Sequence, residues 1–148
     1  MLYKEWFLDF ESDTIPLRSD VNPFEGKYCA YLPKNTQYGP GINYIIPDSL
    51  YYSYIKIVVD FDARMGGRRF GQALCVTVQN GPTPHYWYTF DIAPKSFLKE
   101  KWFHVQDSLQ FVITEAMKGS QIRVFPFNPY KKSTLAIDNL EVKLIKVN

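Results

Sequence analysis

The sequence predicts an all-β fold, an antiparallel β-sandwich with jelly-roll topology, and three observations predict it. Residues 54–63, Y-I-K-I-V-V-D-F-D-A, alternate strictly, with Ile55, Ile57, Val59 and Phe61 on one side and Lys56, Val58, Asp60 and Asp62 on the other. That is the period-two signature of a strand with one buried face. Comparable short runs recur along the chain, separated by Gly, Pro and Asn, at the intervals of a sandwich or barrel. Tyrosine and phenylalanine, eleven of each, raise the aromatic share to 17%, a bias that suits strands and also supplies flat surface for stacking on ligands. Long loops early in the chain, rather than uniform hairpins, favour a jelly roll over an up-and-down barrel.

Taken in order, residues 5–11 (E-W-F-L-D-F-E) place Trp6, Leu8 and Phe10 opposite Phe7, Asp9 and Glu11. Residues 12–24 are polar and carry Pro16 and Pro23, which marks a loop. Residues 26–32 (G-K-Y-C-A-Y-L) form a second strand stopped by Pro33, and residues 41–46 a third between Pro40 and Pro47. After the strand at 54–63, Met65-Gly66-Gly67 is expected to turn the chain into a hairpin with residues 73–79, whose Leu74, Val76 and Val78 face inward and whose Cys75, Thr77 and Gln79 face outward. Asn80-Gly81-Pro82 breaks the chain. Residues 85–92 then put Tyr86, Tyr88, Phe90 and Ile92 in the core, leaving Trp87 exposed on a face expected to be shared with Asp60 and Gln79. Residues 101–112 read as a strand followed by a short helical turn at 115–118, and residues 121–127 and 135–146 complete the set.

A chain of 148 residues buries about 70% of the surface its unfolded form exposes, so one domain with one core is expected. A net charge of +2 gives too weak a field to suggest nucleic acid or an anionic membrane as partner. The one basic concentration, Arg64, Arg68 and Arg69, reads as a solvated hairpin tip, with a site for an anionic group as the alternative. Cys29 and Cys75 each lie within a predicted strand among small hydrophobes, which favours buried free thiols. No apolar run approaches the length of a membrane span, and the opening M-L-Y-K-E-W-F lacks the layout of a signal peptide.

For chemistry the residues offer little that converges. His85 and His104 lie in no nucleophile motif, and with two cysteines they lack zinc-ligand spacing. The pairs Asp9/Glu11 and Asp60/Asp62 each put two carboxyls on one strand face, a separation that glycoside hydrolysis can use, but any solvated strand shows the same pattern. Sugar binding asks for less: a flat aromatic and a few planar polar groups nearby. Trp87 with Gln79, Asp60 and Arg123 meets that description, and Phe125 and Phe127 extend it. The competing reading places Trp87 under a loop as secondary core.

The D-F-E at 9–11, the G-K-Y-C-A-Y-L strand, the V-D-F-D-A and L-C-V-T-V runs, K-W-F-H-V and the closing L-A-I-D-N-L-E-V-K-L together resemble the galactose-binding-like jelly rolls, most of all carbohydrate-binding modules. The likeness of order extends over nearly the whole chain, although its motifs are degenerate. It implies a structural calcium held by Glu11 and Asp138 with loop carbonyls. Asn139 and Lys27 depart from the family pattern, and Glu11 pairing only with Lys27 is the alternative. It also implies a ligand either on the concave sheet face, which selects Trp87, Gln79, Asp60 and Arg123, or in the end loops, which selects Tyr38, Tyr44, Tyr51, Tyr52 and Tyr130.

The expectation is therefore a non-catalytic module for an oligo- or polysaccharide, working outside the cell, in a periplasm or at a cell surface, without membrane insertion. The alternatives are a structural or protein-interaction jelly roll joined to other domains of a larger secreted or membrane-associated protein, and a jelly-roll lyase or hydrolase using Asp60.

Overall fold

The computed structural model describes residues 1–12, 18–20, 22–93 and 100–147. Two antiparallel sheets pack face to face, as the alternation predicts. The larger sheet joins β1 (Leu2–Leu8), β2 (Arg18–Ser19), β3 (Cys29–Leu32), β5 (Tyr54–Gly67), β8 (Phe103–Val112) and β10 (Ser133–Lys146). Its spatial order is β2-β3-β10-β5-β8, with β1 also on β10. The smaller sheet has the order β4-β9-β6-β7, from β4 (Ile42–Ile45), β9 (Gln121–Phe127), β6 (Ala73–Gln79) and β7 (Pro84–Asp91). Short 3-10 turns lie at Asp48–Leu50 and Glu115–Met117.

The core fills the space between the sheets. From the larger sheet come Ile55, Ile57, Val59, Phe61, Ile137 and Val142, and from the smaller Leu74, Val76, Val78, Phe90, Ile122 and Val124, all buried. Each large side chain buried this way contributes roughly 1.5–3 kcal/mol. Tyr86 of β7 stacks on Phe111 of β8 at 4.4 Å between centroids, tying the two sheets at one edge. Met117, at the end of the second 3-10 turn, is buried in the same core.

Three local readings are corrected. The first strand ends at Leu8, and Phe10 takes a left-handed φ of 62° that breaks the alternation yet drives its ring into the core, where it is fully buried. Met65-Gly66-Gly67 makes no hairpin. β5 runs straight through it, pairing Met65, Gly66 and Gly67 with Leu135, Thr134 and Ser133 of β10, and the chain then crosses to the other sheet. Gly66 is glycine because of a close approach: a Cβ there would stand 2.0 Å from the Glu100 carboxylate and 2.4 Å from Thr134 Oγ1. Accordingly Arg64 is not a solvated tip residue. It is buried, donates to Glu100 at 2.9 Å and lies over the Trp102 ring.

In β10 the alternation slips by one residue. Leu135 and Ile137 point inward, and so do Leu140, Val142 and Leu144. The register against β5 shifts between Asp138 and Glu141, and Asn139 has a φ of 51°. This is the signature of a β-bulge, which inserts an extra residue and re-aims its neighbours.

Candidate ligand-binding cleft

Antiparallel register carries side chains on the outer face of the smaller sheet into rows. One row crosses the whole sheet: Asn43 opposite Arg123, Arg123 opposite Thr77, and Thr77 opposite Trp87. Phe125 lies opposite Cys75, one step along the strands, and Phe127 opposite Ala73. Trp87 is 44% exposed, so it is not secondary core beneath a loop. Its ring stands edge-on to Phe125 and Phe127, with centroids 6.2 and 5.5 Å away. Tyr38, bridged to Phe127 through the backbone, stacks on Phe127 and stands edge-on to Phe125. In the same rows Cys75 and Thr77 are buried although they point outward.

The face is not flat. A cleft of about 560 Å³ opens over it, within the usual range for small-molecule sites. Residues 39–42 lie on the β4 side, Gln79, Pro82, Pro84 and Trp87 on the opposite side, and Arg123 and Phe125 on the strand between, while Leu8 and the buried Phe10 also border the cleft. Gly41 makes the wall on the β4 side possible: a Cβ there would sit 1.8 Å from the carbonyl oxygen of Val124. Polar groups are fixed by their own neighbours. Arg123 Nε donates to Asn43 Oδ1 at 3.0 Å, Thr77 donates to Gln79 Oε1 at 2.9 Å, and Gln79 Nε2 donates to the carbonyl of Gly81 at 2.9 Å.

Of the four residues expected to share a ligand face, the structure brings together Trp87, Gln79 and Arg123. Asp60 lies elsewhere, on β5 of the larger sheet, because β5 and β6 are neighbours in sequence but not in space. There Asp60 and Asp62 clasp His104, with Nε2 3.0 Å from Asp60 and Nδ1 2.9 Å from Asp62. Gln106 donates to Asp60 at 2.6 Å. The hydrogen bond to Asp62, joined by the nearby Asp60 charge, raises the His104 pKa above its ordinary 6.5 against the opposing effect of burial.

The loop tyrosines scatter. Tyr38 joins the cleft, Tyr44 packs edge-on to Trp6, Tyr51 and Tyr52 flank Lys118, and Tyr130 meets Phe70. Sequence reasoning overlooked Asn43 and the residues Leu8 and Phe10 that border the cleft. Asn43 carried a legible signal, since it lies between Ile42 and Tyr44 in an alternating strand.

Glu11 and Asp138 do come together, around the segment that precedes β3. Glu11 accepts the backbone N–H groups of Lys27 and Tyr28 at 2.6 and 2.7 Å. Asp138 accepts those of Glu25 and Asn139 at 3.1 and 2.9 Å. Burial first, with the charges of Glu11 and Asp62 added, pushes the Asp138 pKa from 3.8 to about 6 despite these donors. A divalent cation would relieve that crowding of negative charge. Among the described residues no three His, Cys, Asp or Glu side chains cluster in metal-holding geometry. A calcium there would thus rest on these two carboxylates plus backbone carbonyls, to reach six to eight oxygens. Residues 13–17 and 21 of the expected loop lie outside the described residues.

No family model and no curated protein matches the chain. Solved structures do share its fold. The Stig cyclase Fisc from Fischerella sp. TAU, in complex with (3Z)-3-(1-methyl-2-pyrrolidinylidene)-3H-indole, is 14% identical with a TM-score of 0.50, covering 89% of this chain and 70% of that one. The CBM22-1 xylan-binding domain from Paenibacillus barcinonensis Xyn10C is 12% identical with a TM-score of 0.50, covering 88% and 81%. A family 16 carbohydrate-binding module is 10% identical with a TM-score of 0.50, covering 95% and 90%. The chain is a β-sandwich of the architecture found in carbohydrate-binding modules and in Stig cyclases.

Proposed function

We propose that the cleft on the smaller sheet binds an oligo- or polysaccharide and that the domain does so without catalysis. One observation carries the reading: Trp87 stands half-exposed on an aromatic base, in a cleft where Gln79, Asn43 and Arg123 present planar polar groups. A sugar ring has an apolar C–H face for the indole and hydroxyls for such planar groups. The xylan-binding domain and the family 16 module among the fold relatives support this direction. A calcium held by Glu11 and Asp138 belongs to the same proposal, as a tether between the end of β1 and β10 rather than as part of the cleft.

A screen of immobilised glycans and soluble polysaccharides tests the reading. Truncating a central aromatic anchor costs about 2 kcal/mol or more, so Trp87→Ala should weaken binding roughly 30-fold or more while leaving the fold intact. The apolar walls of the cleft, with Leu8, Pro40 and Pro82, favour a second occupant, a planar aromatic small molecule. Saturable binding of indoles with no glycan hit would select that reading. Silence toward both, from folded protein, would select a structural or protein-interaction domain.

A further inference from the structure

Among the described residues that line the cleft, Arg123 is the only one charged at neutral pH, and none is acidic. Its Nε is spent on Asn43, which fixes the plane of the guanidinium. Among the described residues its two Nη groups have no hydrogen-bond partner. Both ends of the Gln79 amide, by contrast, are already engaged. The strongest unspent donor in the cleft is therefore a planar cationic fork held in one orientation. Such a fork matches a carboxylate, whose two oxygens accept two parallel N–H bonds.

Position adds to chemistry. Arg123 and Trp87 lie in one row with Thr77 between them. Strands lie about 4.8 Å apart, so the two residues are separated by roughly 10 Å. A ring stacked on Trp87 thus leaves Arg123 for a different unit of the same chain. We infer that the ligand is an acidic glycan, in which a uronate carboxylate pairs with Arg123 while a neighbouring sugar stacks on Trp87. This rests on the carbohydrate reading of the cleft and specifies its substrate class.

The test compares polygalacturonate with its fully methyl-esterified form, and glucuronoxylan with unsubstituted xylan, by titration of the folded protein. At least one acidic polymer should bind about tenfold or more tighter than its neutral counterpart, the preference falling with added salt. Arg123→Gln should erase the preference, and Arg123→Lys, which keeps the charge but loses the fork, should recover only part of it. Equal binding of acidic and neutral polymers, weakened in Trp87→Ala, would overturn this inference and leave the carbohydrate reading standing. An acidic preference unchanged in Arg123→Gln would also overturn it. No binding to any of the four polymers or to the wider glycan panel would sink both.

Discussion

Asp138 offers a sharp test of how the first and last strands are joined. Its carboxyl has no exposed surface, and burial, reinforced by the charges of Glu11 and Asp62, raises its pKa from 3.8 to about 6. In the unfolded chain the proton leaves near 3.8; in the folded protein it stays until about 6. Between these values the folded state holds more protons than the unfolded one, so stability falls as pH rises through that window. A tenfold change in proton affinity is worth about 1.4 kcal/mol, which sets a ceiling of about 3 kcal/mol on the loss. The hydrogen bonds to Glu25 and Asn139 are only partly buried, and solvent screening reduces the expected loss to about 1–2 kcal/mol. The assay is urea unfolding of wild type and Asp138→Asn with chelator present, across the acid-to-neutral range. An amide has one acceptor oxygen where the carboxylate has two, so the variant carries a constant offset, and the pH-dependent part of the difference is the readout. Wild type should lose its 1–2 kcal/mol relative to the variant as pH rises. A difference independent of pH would refute the reasoning. Replacing chelator with calcium should stabilise wild type at neutral pH and leave Asp138→Asn unmoved; no response in either would remove calcium from the account.

Other outcomes follow from the same geometry. The Asp62 hydrogen bond and the Asp60 charge raise the His104 pKa, so the bridge contributes fully below about 6.5 and fades as pH rises through the folded-state value. Asp62→Asn should lower the His104 midpoint in an NMR titration, and an unchanged midpoint would contradict the bridge. Gly41→Ala would push a methyl against the Val124 carbonyl and should cost about 1–3 kcal/mol or more; a wild-type melting temperature would show that the wall yields. Burial pushes the Cys75 thiol up to about 12 and the Cys29 thiol up to about 11. Neither should react with a thiol reagent in the native state at neutral pH, while both react in denaturant, and rapid native labelling would argue against the packing around them.

Strand positions were legible because period-two alternation is local: Ile55 to Phe61 and Leu74 to Val78 announce their own buried faces. What the alternation does not carry is which strands pair. Asp60 and Gln79 belong to adjacent runs in sequence, and assuming that adjacent runs pair put them on one surface. The chain instead crosses between sheets after Gly67, so Asp60 joins His104 on the far side. Gly66 misled for a related reason. A glycine that marks a turn and a glycine that admits Glu100 and Thr134 look the same in sequence. The cleft was half legible. Trp87, Gln79, Arg123, Phe125 and Phe127 follow from alternation, but Leu8, Phe10 and Gly41 enter through long-range contacts and a backbone approach that no local pattern encodes.

The most direct test of the central claim sets two variants against each other in one glycan-binding titration. Trp87→Ala removes the exposed ring of the cleft, and Asp60→Asn alters the opposite sheet of the sandwich. Binding weakened in the first and unchanged in the second is the predicted result. Binding that is undiminished in Trp87→Ala, or that disappears in Asp60→Asn while the protein remains folded, would contradict the assignment of the ligand to the smaller sheet.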